Sequence, residues 1–514
     1  MTMTGRACCL MIQGTASGVG KTVLTAALCR LLARAGYRVA PFKSQNMALN
    51  AAVTPDGREI GRAQAAQAEA AGIEPSVDMN PILLKPEGDD RSQVVVAGVP
   101  RGSFAFADYR RLRVELFGLV EASLDRLRRD HDLVIIEGAG SPAEINLNDG
   151  EIVNMRIARL ADAPVVLVGD IDRGGVFAAF VGTLALLEPA DRDRVQAFVI
   201  NKFRGNPALL TGGLDVLAAR TGRPVLGVVP YLDDVPVAAE DSLDLDGRRG
   251  AVRADIDVAV VRIPRIANFD DFEPLAREPG VGVRFVRHAA ELEGADLVVL
   301  PGSKSTIADL AWLREAGLGE AIVAAAGAGR PVLGICGGYQ MLGQTLHDPL
   351  GVESACGAVQ GLGLLPVATT FAPVKTTVRV RARVTASRGV FAGTHGLQVF
   401  AYEIHMGATE WRDGDRPFTV TWRNGTEADE PDGAMNASSN VVGTYLHGLF
   451  ANDGLRRALL VNLAARKGLA PDPRWGHSPG PDRYDRLADL VGGALDLALL
   501  ARLLGLDPRR LSSC

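Results

Sequence analysis

The chain has 514 residues, 47% of them hydrophobic and 22% charged, with a formal net charge of −5. That length exceeds a single core and predicts about two to four domains. The slight acidity speaks against a nucleic-acid binder, which normally carries a basic stripe.

Six scattered cysteines (Cys8, Cys9, Cys29, Cys336, Cys356 and Cys514) form no C-x-x-C pair. They suggest neither zinc nor a disulfide framework and fit a reducing cytosol. Residues 7–13 are a short apolar run that leads straight into a glycine loop, so they read as a buried strand and not a secretory signal. No apolar run approaches the roughly 18 residues of a membrane span, and a cytoplasmic location is expected.

Further runs at 38–42, 133–137, 164–169, 196–201 and 225–229 alternate with helix-period segments at 23–35, 57–70 and 103–129. This pattern predicts a doubly wound parallel α/β sheet over 1–235, with ligands at the carboxyl ends of its strands. The polar, turn-rich stretch 236–254 reads as a linker. A second strand–helix series (257–261, 281–285, 297–300 and 331–335) opens an α/β domain over 255–455. It continues through a β-rich part from 361 to 422 and a run at 440–450. A helical, Arg/Leu/Ala-rich segment over 456–514 closes the chain.

Gly14-Thr15-Ala16-Ser17-Gly18-Val19-Gly20-Lys21-Thr22 lies between the first strand and an apolar helix. That context makes a glycine motif specific for phosphate. Gly14, Thr15, Gly18 and Gly20 would turn backbone N–H groups onto phosphate oxygens, aided by the helix dipole. Lys21 would neutralise β/γ-phosphate charge, and the Thr22 hydroxyl would hold Mg²⁺. The spacing departs from G-x-x-x-x-G-K, since Thr15 takes the first glycine position. A plain strand–helix turn with a solvated lysine is disfavoured by Gly-Lys-Thr in register.

Three other strand ends fall on the same edge. Lys43 follows residues 38–42 and would face phosphate or a carboxylate. Glu137, beside Gly138 and Gly140, suits Mg²⁺, which takes one or two acidic ligands. Asp170-Ile171-Asp172-Arg173-Gly174-Gly175 ends the next strand. Each alone also fits a helix cap or surface turn. Asn201-Lys202-Phe203-Arg204 is similar to the purine-reading N-K-x-D, with Arg204 in place of the aspartate; that points to ATP and away from GTP, with Asn201 as a nucleotide contact.

Gly334-Ile335-Cys336-Gly337-Gly338-Tyr339-Gln340 reads as a strand-to-helix elbow. It would expose the Cys336 sulfur at a helix N-terminus, where a thiolate is favoured. The Gly337 N–H would donate to an oxyanion, with Gly302 in Leu300-Pro301-Gly302-Ser303 as a second donor. A thiolate needs a base. Among seven histidines, His447 in Gly443-Thr444-Tyr445-Leu446-His447-Gly448 is the leading candidate and His405 the second.

The elbow, the Pro-Gly-Ser turn and His447 resemble class I, triad-type glutamine amidotransferases. Those enzymes commonly have His-x-Glu, whereas Gly448-Leu449 follow His447 here. The departure is typical of the cobyric acid/cobyrinic acid a,c-diamide synthase branch, so a Cys–His pair alone is expected. The strings Pro41–Asn50, Met79–Pro86, Glu137–Leu147, Gly169–Phe177 and Tyr402–Gly407 make nearly the whole chain similar to the cobyric acid synthase family. The first half is also similar to dethiobiotin synthetase.

The resemblance implies ATP, Mg²⁺ and glutamine as ammonia donor, and Cys336, His447 and a glutamine-binding Gln340 in the second domain. No tightly bound prosthetic group, nucleic acid or membrane is implied. The corrinoid adenosylcobyrinic acid a,c-diamide would be amidated on its b, d, e and g carboxylates. Alternatives are a cobyrinic acid a,c-diamide synthase, disfavoured by the string around Lys43–Asn50 and the length, and a ParA/MinD-like ATPase, whose signature lysine is replaced by Ala16. A regulator with an unreactive Cys336 is the third.

Overall fold

The apolar runs of the first half lie side by side in one parallel sheet. Its order is Val225–Pro230, Val195–Phe203, Val165–Asp170, Cys8–Gly14, Leu133–Glu137 and Val39–Phe42. The computed structural model describes residues 6–88, 90–147, 150–232, 254–354, 356–477 and 483–512; the expected linker 236–254 falls, but for Ala254, outside them.

Both faces of this sheet are buried, which explains why its strands read as continuous apolar runs. Leu10, Ile12, Leu133, Ile135, Val166 and Val168 pack on one side with Leu24, Leu28 and Leu31 of the helix Lys21–Arg34. Met11, Val134, Ile136, Val165 and Leu167 face the other. From Cys8–Gly14 the chain first winds outward to the edge at Val39–Phe42, then crosses to the other side at Val165–Asp170. The winding reverses beside the first strand, so a crevice opens at its carboxyl end.

Between Val39–Phe42 and Leu133–Glu137 the structure differs from the sequence reading. The segment 57–70 is not one helix: Ala51–Val53 and Glu59–Gly61 form a hairpin, and the helix begins at Arg62 and ends at Ala71. The reason is Pro55-Asp56-Gly57, with Gly57 at φ +77° and Thr54 N bonded to Arg58 O. Likewise 103–105 belong to the strand Val99–Ala105, and two helices, Phe106–Glu115 and Phe117–Asp130, follow. That strand joins Gln45–Met47, Ile82–Pro86 and Arg91–Val96 in a four-stranded sheet.

The second parallel sheet runs Val281–Val286, Ile256–Val261, Leu297–Leu300, Val332–Ile335 and Val441–Thr444, with Ala434–Met435 antiparallel at the edge. The expected β-rich part is a separate sheet built on the 18-residue strand Val367–Val384 and its antiparallel partner Gln398–Trp411. The helix Asp453–Arg466 packs in the second domain's core. The later helices return to the first: Leu487, Val491, Leu500 and Leu504 pack with Leu28 and Leu31, and Arg30 and Arg34 pair with Asp485 and Asp489. Among the described residues, no helix is long and apolar enough to cross a membrane.

The two domains meet through buried polar groups. Glu59 Oε1 lies 2.7 Å from Lys85 Nζ, and its Oε2 2.5 Å from Lys375 Nζ of the second domain. Burial raises the Glu59 pKa, but the two ammonium groups outweigh it and hold the carboxyl at about 2; burial depresses Lys375 to about 8 despite Glu59. Neutralising Glu59 would leave two cations buried together. Glu59→Gln is therefore expected to cost about 3–5 kcal/mol, seen as a lower urea midpoint at pH 7. An unchanged midpoint would contradict it. The folded pKa is depressed, so the contribution is present above an ordinary glutamate value of about 4.3. It is lost as pH falls toward about 2.

Candidate active site

The glycine loop after Cys8–Gly14 is anchored to the neighbouring strand by Thr15 N to Val168 O (2.9 Å). Gly18 and Gly20 have φ +71° and +102°, a left-handed backbone that favours glycine. Gly20 has a second reason: a Cβ there would lie 2.1 Å from Asn201 Nδ2. A Cβ on Gly14 would meet Lys21 Nζ at 2.8 Å. The Lys21 ammonium folds over the loop onto Ala16 O and Gly140 O, at 3.0 and 3.1 Å.

Glu137 organises the floor of this site. Its Oε1 accepts from Thr22 Oγ1 and Lys43 Nζ, both at 2.9 Å, and its Oε2 from Gln67 Nε2 at 2.6 Å. Glu137, Lys43 and Gln67 are buried. Gly14, Thr15, Gly18, Gly20, Lys21, Thr22, Lys43, Glu137 and Asn201 thus converge on one crevice. The donor set is chemically suited to Mg²⁺: Thr22 Oγ1 and a Glu137 oxygen face each other, and this ion needs few protein ligands beyond phosphates and water. Among the described residues no group of three or more His, Cys, Asp or Glu forms a ready-made metal cage.

The Asn201–Arg204 stretch also turns to the loop. Asn201 Nδ2 donates to Val19 O (2.8 Å), and Lys202 Nζ reaches Gly18 O (2.7 Å) and Asp170 Oδ2 (2.9 Å). Arg204, which replaces the purine-reading aspartate, pairs with Asp172 at 3.1 Å and lies over the Tyr231 ring.

In the second domain Cys336 ends the strand Val332–Ile335 and starts the helix Gly337–Leu342, with φ +53° and ψ −108°. A non-glycine residue in this conformation is strained, which is the mark of a nucleophile elbow. The turn 301–303 presses against it so closely that a Cβ on Gly338 would lie 1.9 Å from Leu300 O, and one on Gly337 2.8 Å from Ser303 N. The Cys336 Sγ lies 3.5 Å from Ile404 O, close enough to His447 for its sulfur to act electrostatically on the imidazole. A Cβ on Gly302 would stand 3.1 Å from His447 Cε1, so glycine there gives the imidazole its place.

His447 is not half of a bare pair. Its Nδ1 lies 2.7 Å from Asp271 Oδ2, and Asp271 Oδ1 accepts from Gly448 N at 2.8 Å. The expectation that no acid accompanies the histidine is therefore corrected: the carboxylate arrives from the turn Phe269–Phe272, 176 positions earlier. The Tyr402 ring stacks on the imidazole at 5.2 Å. Burial alone would lower the His447 pKa, but Asp271 and the Cys336 sulfur overcome it and raise it to about 10. The imidazole is thus cationic at neutral pH, the partner a thiolate requires.

The other two glutamine-site candidates are engaged differently. His405 bonds Gly407 O and Glu403 and stacks on Tyr445. The Gln340 amide spans Met406 O, Tyr445 Oη and Thr306 Oγ1, each at 3.1 Å, beneath the elbow. Sequence reasoning missed Asp271 and Gln67. Asn268-Phe269-Asp270-Asp271-Phe272 offered two adjacent acids after a strand, but nothing local tied them to a histidine so far along the chain.

The CobQ/CobB/MinD/ParA nucleotide binding domain model matches residues 10–245, and the CobB/CobQ-like glutamine amidotransferase domain model matches 257–455. The chain is 58% identical over 520 residues to a cobyric acid synthase of Sorangium cellulosum, covering 97% of this chain and 99% of that one. It is 50% identical to cobyric acid synthases of Dehalococcoides mccartyi (96% and 98% covered) and Moorella thermoacetica (97% and 97%).

Proposed function

The chain belongs to the cobyric acid synthase family, and from that premise we propose that it moves ammonia from glutamine onto the b, d, e and g carboxylates of adenosylcobyrinic acid a,c-diamide, activating each with ATP. The carrying observation is that one chain holds both a phosphate loop over Glu137 and a Cys336–His447–Asp271 relay.

In the second domain the Cys336 sulfur attacks the side-chain carbonyl of glutamine. The Gly337 N–H, with Gly302 as second donor, faces the oxyanion, and Gln340 shapes the floor of the pocket from below. His447 gives its Nε2 proton to the departing nitrogen, so the C–N bond breaks and ammonia leaves. Water then hydrolyses the thioester to glutamate, returning its proton through His447.

In the first domain a carboxylate oxygen of the corrinoid attacks the γ-phosphorus of ATP and ADP departs. Ammonia then displaces phosphate from the acyl phosphate to give the amide. Lys21 and Lys43 offset charge on the phosphoryl oxygens, while Gly14, Thr15, Gly18 and Gly20 cradle the phosphates and Asn201 holds the loop against the nucleotide. Thr22 and Glu137 would hold Mg²⁺, which when bound screens the phosphate charge.

Lys21→Met tests the assignment. Ammonium-driven amidation and ADP release should fall together by roughly 10²–10³-fold, while glutamate release from glutamine continues. ADP release at the parental rate would sink this reading of the loop.

A further inference from the structure

The phosphate loop, Lys21 and Lys43 serve the triphosphate of ATP, not its base. Beyond the loop, the end of the strand Val195–Phe203 is stitched to it by Asn201 Nδ2 on Val19 O and Lys202 Nζ on Gly18 O. Lys202 stands at φ +61°, a left-handed backbone that non-glycine residues seldom adopt, and its ammonium is tied to Gly18 O and Asp170 Oδ2. Two residues on comes Arg204, beside Tyr231, whose N–H donates to Phe203 O at 2.8 Å.

Arg204 is held from two sides. Its Nε donates to Asp172 Oδ1 at 3.1 Å, and its guanidinium carbon lies 3.4 Å from the centre of the Tyr231 ring. Asp172 is held in turn: its N–H donates to Asp170 Oδ1 at 2.9 Å, and the same carboxylate takes Lys202. An exposed ion pair adds little to stability, and 57% of the Arg204 side chain is exposed. Such bracing does more for orientation than for folding. With Nε and Oδ1 engaged, the terminal guanidinium nitrogens remain as donors and Asp172 Oδ2 as an acceptor, within one bonded pair.

The pairing edge of adenine carries an acceptor, N1, beside a donor, the 6-amino group. Guanine reverses both: its O6 accepts, and its N1–H and 2-amino group donate. An aspartate at the position of Arg204, as in N-K-x-D, offers acceptors to the donors of guanine. A guanidinium offers donors only. Against adenine, a terminal N–H of Arg204 donates to N1 while Asp172 Oδ2 accepts from the 6-amino group. Against guanine, the same pair sets donor against donor and carboxylate against carbonyl oxygen.

We propose that Arg204 and Asp172, braced by Tyr231, read the pairing edge of adenine in ATP and reject guanine. The proposal rests on the ATP-dependent function given above.

The test measures calorimetric binding of adenylyl imidodiphosphate and guanylyl imidodiphosphate to the full chain with Mg²⁺, alongside ammonium-driven amidation with ATP or GTP. The parent should favour the adenine analogue by roughly 10²-fold or more. Arg204→Asp, which restores an acceptor, should lower that preference at least about tenfold, with the guanine analogue bound more tightly than by the parent. Arg204→Lys keeps the charge but not the planar fork, and should lower the preference at least about threefold through weaker adenine binding. A residue that merely adds positive charge would, when changed to aspartate, weaken both analogues alike. An unchanged preference in Arg204→Asp therefore overturns the proposal, as does a parent that binds both analogues equally. Should Arg204→Asp fold poorly, Arg204→Lys decides by the same criterion. A parent that makes no amide with either nucleotide overturns the proposed function instead, while the analogue preference still decides the base site.

Discussion

Replacing Cys336 with alanine is expected to reduce glutamine-dependent amidation by a factor of roughly 10⁴ or more, while ammonium-dependent amidation survives. The thiol forms the bond that holds the glutamyl group, so nothing else at the elbow can substitute for it. Gly337, Gly302 and His447 would still surround the carbonyl, but without a nucleophile they only bind. The phosphate loop lies in the other domain and contacts neither the thiol nor its base, so ATP-driven chemistry with supplied ammonium should proceed near the parental rate. Glutamate and amide are measured together with each nitrogen source. If ammonium-dependent amidation disappears as well, Cys336 serves more than ammonia supply.

Asp271→Asn is the second large effect, expected at roughly 10²–10⁴-fold in glutaminase kcat/KM. Asparagine preserves size and can still accept from Gly448 N, so the turn should keep its shape. What it removes is the negative charge that raises His447 to about 10 against the pull of burial. Without it the imidazolium deprotonates earlier, so the basic limb of the glutaminase pH profile should move to lower pH. A merely structural aspartate would lower the rate without moving that limb. The sign for stability follows the same charge. His447 has a folded pKa above its ordinary value of about 6.5, so its contribution is fully present below that value. It is lost as pH rises through about 10.

Much of this site was legible because its chemistry is local in sequence. Gly18, Gly20, Lys21 and Thr22 must be consecutive to wrap a phosphate, and Cys336 must stand between a strand and a helix; those patterns survive without a structure. Lys43 and Glu137 were legible through a rule of the fold, that strand ends share an edge. Asp271 was not, because a histidine can take its acid from any element that packs against it. Gln67 was hidden for a related reason: alanine-rich helix sequence gives no sign of which polar residue faces inward. The four-stranded sheet around Ile82–Pro86 escaped notice because its short strands pair across turns and are buried partly by the other domain. The tail helices after Arg483 read as a terminal layer, but their amphipathic pattern could not say which domain they cover.

The most direct measurement is the mass of the corrinoid after incubation with the full chain, glutamine and Mg-ATP. The expected result is a stepwise fall as OH is replaced by NH₂, ending when the b, d, e and g carboxylates have all been converted, with ADP and glutamate released alongside. A corrinoid of unchanged mass while ATP is still hydrolysed would contradict the assignment of this chain's two sites to one amidation.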